Sequence, residues 1–139
     1  MGGDYDFSGS DFTRAALSGE DFANANLTRA IFDHANLSGA SLTGANFTGA
    51  NLGGATLLRT NLQRTTMDAH TRLDAWTGLD LRRANLSAMF FLEVDFRGSQ
   101  MSGVHLNNAI LSGANFQGVD LAGANLTGAN LRFTDFYNT

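Results

Sequence analysis

Large hydrophobic residues recur along this chain with a period of five. From Phe7, every fifth position is Leu, Phe or Met: Phe12, Leu17, Phe22, Leu27, Phe32, Leu37, Leu42, Phe47, Leu52, Leu57, Leu62 and Met67. The step resumes at Leu81 and runs without exception through Leu86, Phe91, Phe96, Met101, Leu106, Leu111, Phe116, Leu121, Leu126 and Leu131 to Phe136. Two residues before these 25 centres, 21 positions hold Ala, Ser, Thr or Val, the exceptions being Tyr5, Glu20, Leu79 and Met89. One residue before the centre, sixteen positions hold Asp or Asn. A helix cannot use this pattern, because at 3.6 residues per turn a five-residue step spreads successive centres around the axis. A short strand can, because residues two apart share one face. The small residue and the centre then point inward. The other three residues turn a corner, where Gly, Asn and Asp accept unusual backbone angles. One pentad is one side of a stacked coil.

The period alone leaves the number of sides open. Phe96, Phe116 and Phe136 recur every twenty residues, whereas Phe7 to Phe22 and Phe32 to Phe47 are fifteen apart. Segments such as Ala35-Asn36-Leu37-Ser38-Gly39 and Ala124-Asn125-Leu126-Thr127-Gly128 resemble the pentapeptide-repeat family, whose unit is a small residue, Asp or Asn, Leu or Phe, and two variable positions. The resemblance covers 5–69 and 79–138. It implies an all-β solenoid, a right-handed quadrilateral β-helix of about six coils and roughly 30 Å in length, making 1–139 a single domain. Phe7, Phe47, Leu86, Phe96, Phe116, Leu126 and Phe136 are among its expected core residues. Stability is then spread along the rod, each coil touching only its neighbours.

Residues 68–78 break the frame. The simplest reading is a nine-residue insertion bulging from one corner as a surface loop. A second reading makes 74–78 a degenerate pentad centred on Trp76, with four residues inserted. The bulk of Trp in a core of Leu favours the bulge, and loops on a solenoid often carry binding. Arg72 and Trp76, residue types enriched at interface hot spots, are therefore candidate partner contacts. Phe90, Leu92, Ile110 and Phe133 fall at outward positions on one expected face, where an exposed apolar cluster marks an interface. The repeat runs almost to Thr139, and a bare terminal coil exposes strand edges, so a homodimer through the C-terminal coil is a further expectation.

Composition narrows the chemistry. The formal net charge is −4; the nine basic residues are all Arg, and there is no Cys and no Pro. No Cys excludes disulfides and thiolate metal sites. The N-terminus lacks the basic and apolar segments of a signal peptide, and no apolar run spans a membrane, so a cytoplasmic location is expected. An acidic chain without Lys clusters is not expected to bind nucleic acid directly. His34, His70 and His105 have no metal-ligand spacing, and neither a phosphate loop nor a nucleophile elbow is present. A filled interior leaves no cleft for a small-molecule enzyme. No catalytic residue, metal or cofactor is expected.

The expected function is that of a non-enzymatic rod presented to a protein partner. The resemblance also implies an alternative, since some pentapeptide-repeat proteins mimic duplex DNA, bind DNA gyrase and protect it from quinolones. Six of the nine Arg lie between residues 59 and 97, which works against the acidic field such mimicry requires.

Overall fold

The computed structural model describes residues 5–139. Parallel bridges join residues twenty apart: Asp6 to Asn26, Asp11 to Ile31, Ala16 to Asn36 and Asp21 to Ser41. Twenty residues are four pentads, so each turn of the coil has four sides. Side 1 is centred on Phe7, Leu27, Phe47, Met67, Leu86, Leu106 and Leu126, and side 2 on Phe12, Phe32, Leu52, Leu73, Phe91, Leu111 and Leu131. Side 3 is centred on Leu17, Leu37, Leu57, Trp76, Phe96, Phe116 and Phe136, and side 4 on Phe22, Leu42, Leu62, Leu81, Met101 and Leu121. The described residues thus complete six coils and three sides of a seventh.

In the regular coils each corner is a tight turn in which the N–H three residues after the centre donates to the central carbonyl, as Ser10 N does to Phe7 O at 3.0 Å. Two residues after the centre the backbone is left-handed, at thirteen glycines and at twelve other residues including Arg29, Arg64, Arg83, Ala88 and Phe133. This is the positive φ that a type II turn needs at its third residue. Nearly half of these corners therefore carry a conformation costing about 1 kcal/mol that Gly would avoid. The Asx residue before the centre has a local role. Its side chain accepts the N–H two residues on, as Asp6 does from Ser8 (2.9 Å) and Asn46 from Thr48 (3.0 Å). That bond explains the sixteen Asx positions without recourse to catalysis.

Inside, the central residues and the preceding small residues form one core. Phe rings one coil apart stack nearly parallel: Phe12 on Phe32 at 4.9 Å, Phe96 on Phe116 at 4.7 Å and Phe116 on Phe136 at 5.5 Å between centroids. Phe47, Leu86, Phe96 and Phe116 are fully enclosed. Phe7, Leu126 and Phe136, also expected in the core, are only partly buried because they lie in the outermost described coils and have a neighbour on one side. Buried hydroxyls at the small position are satisfied by a repeated device. Thr60 donates to Leu37 O (2.8 Å) and Thr71 to Phe47 O (2.8 Å), in each case reaching the central carbonyl one coil back on the preceding side.

The surface loop expected near 68–78 is not formed. Trp76 is only 6% exposed and packs edge-on against Phe91 at 4.8 Å and against Phe96 at 5.8 Å. The Ser99 hydroxyl donates to Trp76 O, the bond that Thr60 makes to Leu37. Trp76 is therefore a central residue of side 3, and it takes part in the core that its bulk was expected to exclude. Leu73 continues side 2, with Arg72 bridged to Asn51 and Leu52 N bonded to Arg72 O at 2.8 Å. The coil never leaves its path; only the pairing shifts, from 21 residues at Asn51–Arg72 to 19 at Asn61–Asp80 and Thr66–Asn85.

Two carboxylates repair the ladder at this irregular coil. In regular coils the N–H two after the centre bonds a backbone carbonyl of the next coil, as Gly44 N does to Gln63 O at 2.8 Å. At the two displaced corners side chains substitute for that carbonyl. Asp68 Oδ1 accepts Gly49 N at 3.0 Å, and Asp74 Oδ2 accepts Gly54 N at 2.8 Å. Asp68 also accepts from the His70 N–H at 3.1 Å and the Thr71 hydroxyl at 3.1 Å. Asp68→Ala is expected to cost about 1–3 kcal/mol in urea unfolding, because a partly buried N–H loses its acceptor. Asp68→Asn, which keeps an oxygen, should cost less than half as much.

Candidate interaction surface

Side 2 of coils 5 to 7 carries most of the outward apolar residues. Phe90 and Ile110 each precede a centre, and a parallel bridge holds them side by side. Leu92 follows the Phe91 centre on the same side. Phe90 is 69% and Leu92 66% exposed, while Ile110 is half-buried. Alternation along a strand explains the arrangement, since Phe91 turns inward and its two neighbours must turn outward. Phe133 lies at a corner two coils from Phe90, with the Arg132 guanidinium 5.7 Å from its ring centroid. It is 86% exposed, and Gly113 stands between its column position and that of Glu93, so it extends the apolar surface as a separate projection.

The other two candidates do not join this cluster. Trp76 is in the core. The Arg72 side chain is exposed on side 2 of coil 4, where Nε donates to Asp74 Oδ1 at 3.2 Å. It lies across Gly53; a Cβ there would be 2.9 Å from the guanidinium carbon, so this corner is shaped for Arg72 to cross it.

Several charged groups elsewhere are bound locally. Arg82 holds Asp80 through two bonds of 2.9 and 2.8 Å, and Arg97 holds Asp95 in the same way. These guanidinium bonds hold the Asp80 and Asp95 carboxyls below the usual carboxylate range. Ser8 does so for Asp6 and Thr13 for Asp11. For Asp68 burial acts in the opposite direction, and the donors from Gly49, His70 and Thr71 outweigh it. All five folded-state values are lowered relative to the unfolded chain. The stability they contribute is therefore complete above the unfolded pKa of about 3.9 and is lost as pH falls through the lower folded values. The melting temperature should be level from pH 7 to about pH 5 and fall steeply below pH 4. A decline beginning near pH 6.5 would contradict this assignment.

Among the described residues no group of three His, Cys, Asp or Glu side chains could hold a metal ion. His34 and His70 each sit beside one Asp, at 3.1 and 3.2 Å, on different coils. Among the described residues no helix is long and apolar enough to cross a membrane. Counting in fives also misses a grouping on side 4. The 19-residue step places Arg82 and Arg83 next to Gln63 and Arg64, with Arg64 N bonded to Arg82 O at 3.2 Å. In the sequence the irregular coil hides this neighbourhood.

The pentapeptide-repeat model matches residues 6–44, 40–68, 77–113 and 111–139, in eight copies. The chain belongs to the pentapeptide-repeat family. Its four-sided coil is accordingly the right-handed quadrilateral β-helix, and the stretch between the second and third matches falls on the irregular coil. Among solved pentapeptide-repeat structures, the chain is similar to HetL of the cyanobacterium Nostoc, a protein involved in heterocyst differentiation regulation. Identity is 27% and the TM-score 0.50, over 95% of this chain and 66% of HetL. A pentapeptide repeat protein of the Arabidopsis thaliana thylakoid lumen is 30% identical over 91% of this chain and 64% of its own, with a TM-score of 0.37. Full-length QnrB1, a plasmid-mediated fluoroquinolone resistance protein, is 19% identical over 95% and 78%, with a TM-score of 0.48. The chain spans less than two thirds of the first two. No curated protein sequence matches it. Pentapeptide-repeat proteins are generally structural or interaction modules.

Proposed function

We propose that this chain is a non-enzymatic interaction module that presents side 2 of its β-helix to a protein partner. The supporting observation is the exposure of Phe90 and Leu92 beside Ile110 on a rigid side where the inward Phe91 and Leu111 are enclosed. Leaving these side chains in water costs the protein burial energy of roughly 1.5–3 kcal/mol each. A partner surface that covers them recovers it. A flat, regular ladder also loses little conformational freedom on binding, which favours affinity.

The test compares the wild-type protein with a Phe90→Ser, Leu92→Ser, Ile110→Ser variant in affinity capture from the native source. A protein retained by the wild type and lost by a variant that melts at the same temperature supports the reading. Equal recovery by both would falsify it. Purified gyrase tests DNA mimicry directly: supercoiling should continue unchanged in the presence of the protein, because Arg64, Arg82 and Arg83 interrupt any acidic face. Inhibition, or protection from a quinolone, would replace the apolar surface by the mimic reading.

A further inference from the structure

We propose that the side-4 corner shared by coils 3 and 4 binds a diphosphate group through Arg64, Arg82 and Arg83. These three residues line one depression of about 430 Å³, together with Thr43, Asn61, Gln63 and Ser102. Every lining side chain is polar, and none is a carboxylate. The corner is distinct from the apolar side 2.

Two independent features support the assignment. First, the charge is not compensated locally. Asp80 is the carboxylate engaged with the cluster, and its oxygens are taken by Arg82 (2.9 and 2.8 Å) and by Gln63 Nε2 (3.0 Å). Among the described residues neither Arg64 nor Arg83 forms an ion pair. Second, the one-residue shift puts Arg64 and Arg83 at the same corner position in successive coils, about 4.8 Å apart along the axis. Like charges in such a register repel, and neither packing nor hydrogen bonding within the chain accounts for that arrangement.

The chemistry fixes the ligand class. Arg82 is held by Asp80 with its fork oriented, while Arg64 and Arg83 present free planar donors suited to bidentate phosphate recognition. Two guanidinium groups on successive coils suit two linked phosphate groups better than one isolated ion. Free pyrophosphate and the diphosphate of a nucleotide share this chemistry.

The test is a ¹H–¹⁵N titration of the full chain with sodium pyrophosphate and separately with ADP, against sodium chloride of equal ionic strength. Saturable shifts are expected at the Arg64, Arg82 and Arg83 Nε–H signals and at the Ser102 amide with both phosphate compounds. The Arg29 signal, from a left-handed Arg on side 1, should stay in place. Arg83→Gly separates ligand binding from a structural role. It should weaken binding at least fivefold while raising the melting temperature by about 3 °C, because it removes backbone strain. Absence of saturable shifts with pyrophosphate, ADP binding without pyrophosphate binding, or unchanged affinity in Arg83→Gly would overturn the proposal.

Discussion

Trp76→Ala is expected to destabilise the protein by about 3–5 kcal/mol in guanidinium unfolding, the usual cost of removing a large aromatic from a packed interior. The magnitude follows from position. Trp76 closes side 3 of coil 4, between Leu57 below and Phe96 above, and its ring meets Phe91 edge-on at 4.8 Å. Truncation removes those aromatic contacts and opens a void in the coil where the ladder is already displaced. Relaxation is limited, because Ser99 fixes the backbone from both directions: its hydroxyl donates to Trp76 O and accepts Leu79 N at 3.0 Å. Trp76→Phe keeps an aromatic in the slot and should cost about 1–1.5 kcal/mol. A loss below 1 kcal/mol for the Ala variant would return Trp76 to a surface role.

That residue also marks the limit of what the five-residue period shows. The period works where each corner has the same number of residues, because a strand's inward face and its turn are then fixed by position. Phe47, Leu86, Phe96 and Phe116 were legible for this reason, as was the Phe90–Ile110 pair on side 2. Between Met67 and Leu81 the corners change length, and the centres are spaced by six, three and five residues. A frame that counts in fives meets no Leu or Phe where it expects one and infers a loop. The chain instead keeps all four sides by letting Asp68 and Asp74 stand in for backbone carbonyls. Side-chain capping of this type has no periodic signature, so neither Asp stood out. The same slip concealed the side-4 arginines, since Arg64 and Arg83 are separated by 19 residues where neighbours in the regular coils are separated by 20.

The packing of Trp76 bears on binding as well as on stability. A hot-spot residue must be able to reach a partner, and a side chain enclosed by Phe91 and Phe96 does not. The interaction surface therefore moves away from the irregular coil to residues that the regular ladder forces outward. Alternation leaves no choice at Phe90 and Leu92: with Phe91 inside, both face solvent. Hydrophobic residues at these positions do nothing for the fold, which is why they are the informative ones.

Leu106→Asp should have the larger and more extended effect. Leu106 is fully enclosed on side 1 of coil 6. A carboxylate there has no partner, and protonating or hydrating it requires the coil to open. The loss should exceed about 4 kcal/mol, beyond the range of ordinary substitutions. Its distribution is more diagnostic than its size. In a stack where each coil touches only its neighbours, the defect weakens two interfaces and leaves distant ones intact. Hydrogen exchange should therefore show coils 5 to 7 losing amide protection first, while Phe32, Leu42 and Phe47 in coils 2 and 3 retain theirs at low denaturant. Thr127→Asp, an outward change one coil away, should leave exchange unaltered. Uniform loss of protection along the whole chain would mean that the β-helix unfolds as one cooperative unit, and that stability is not additive from coil to coil.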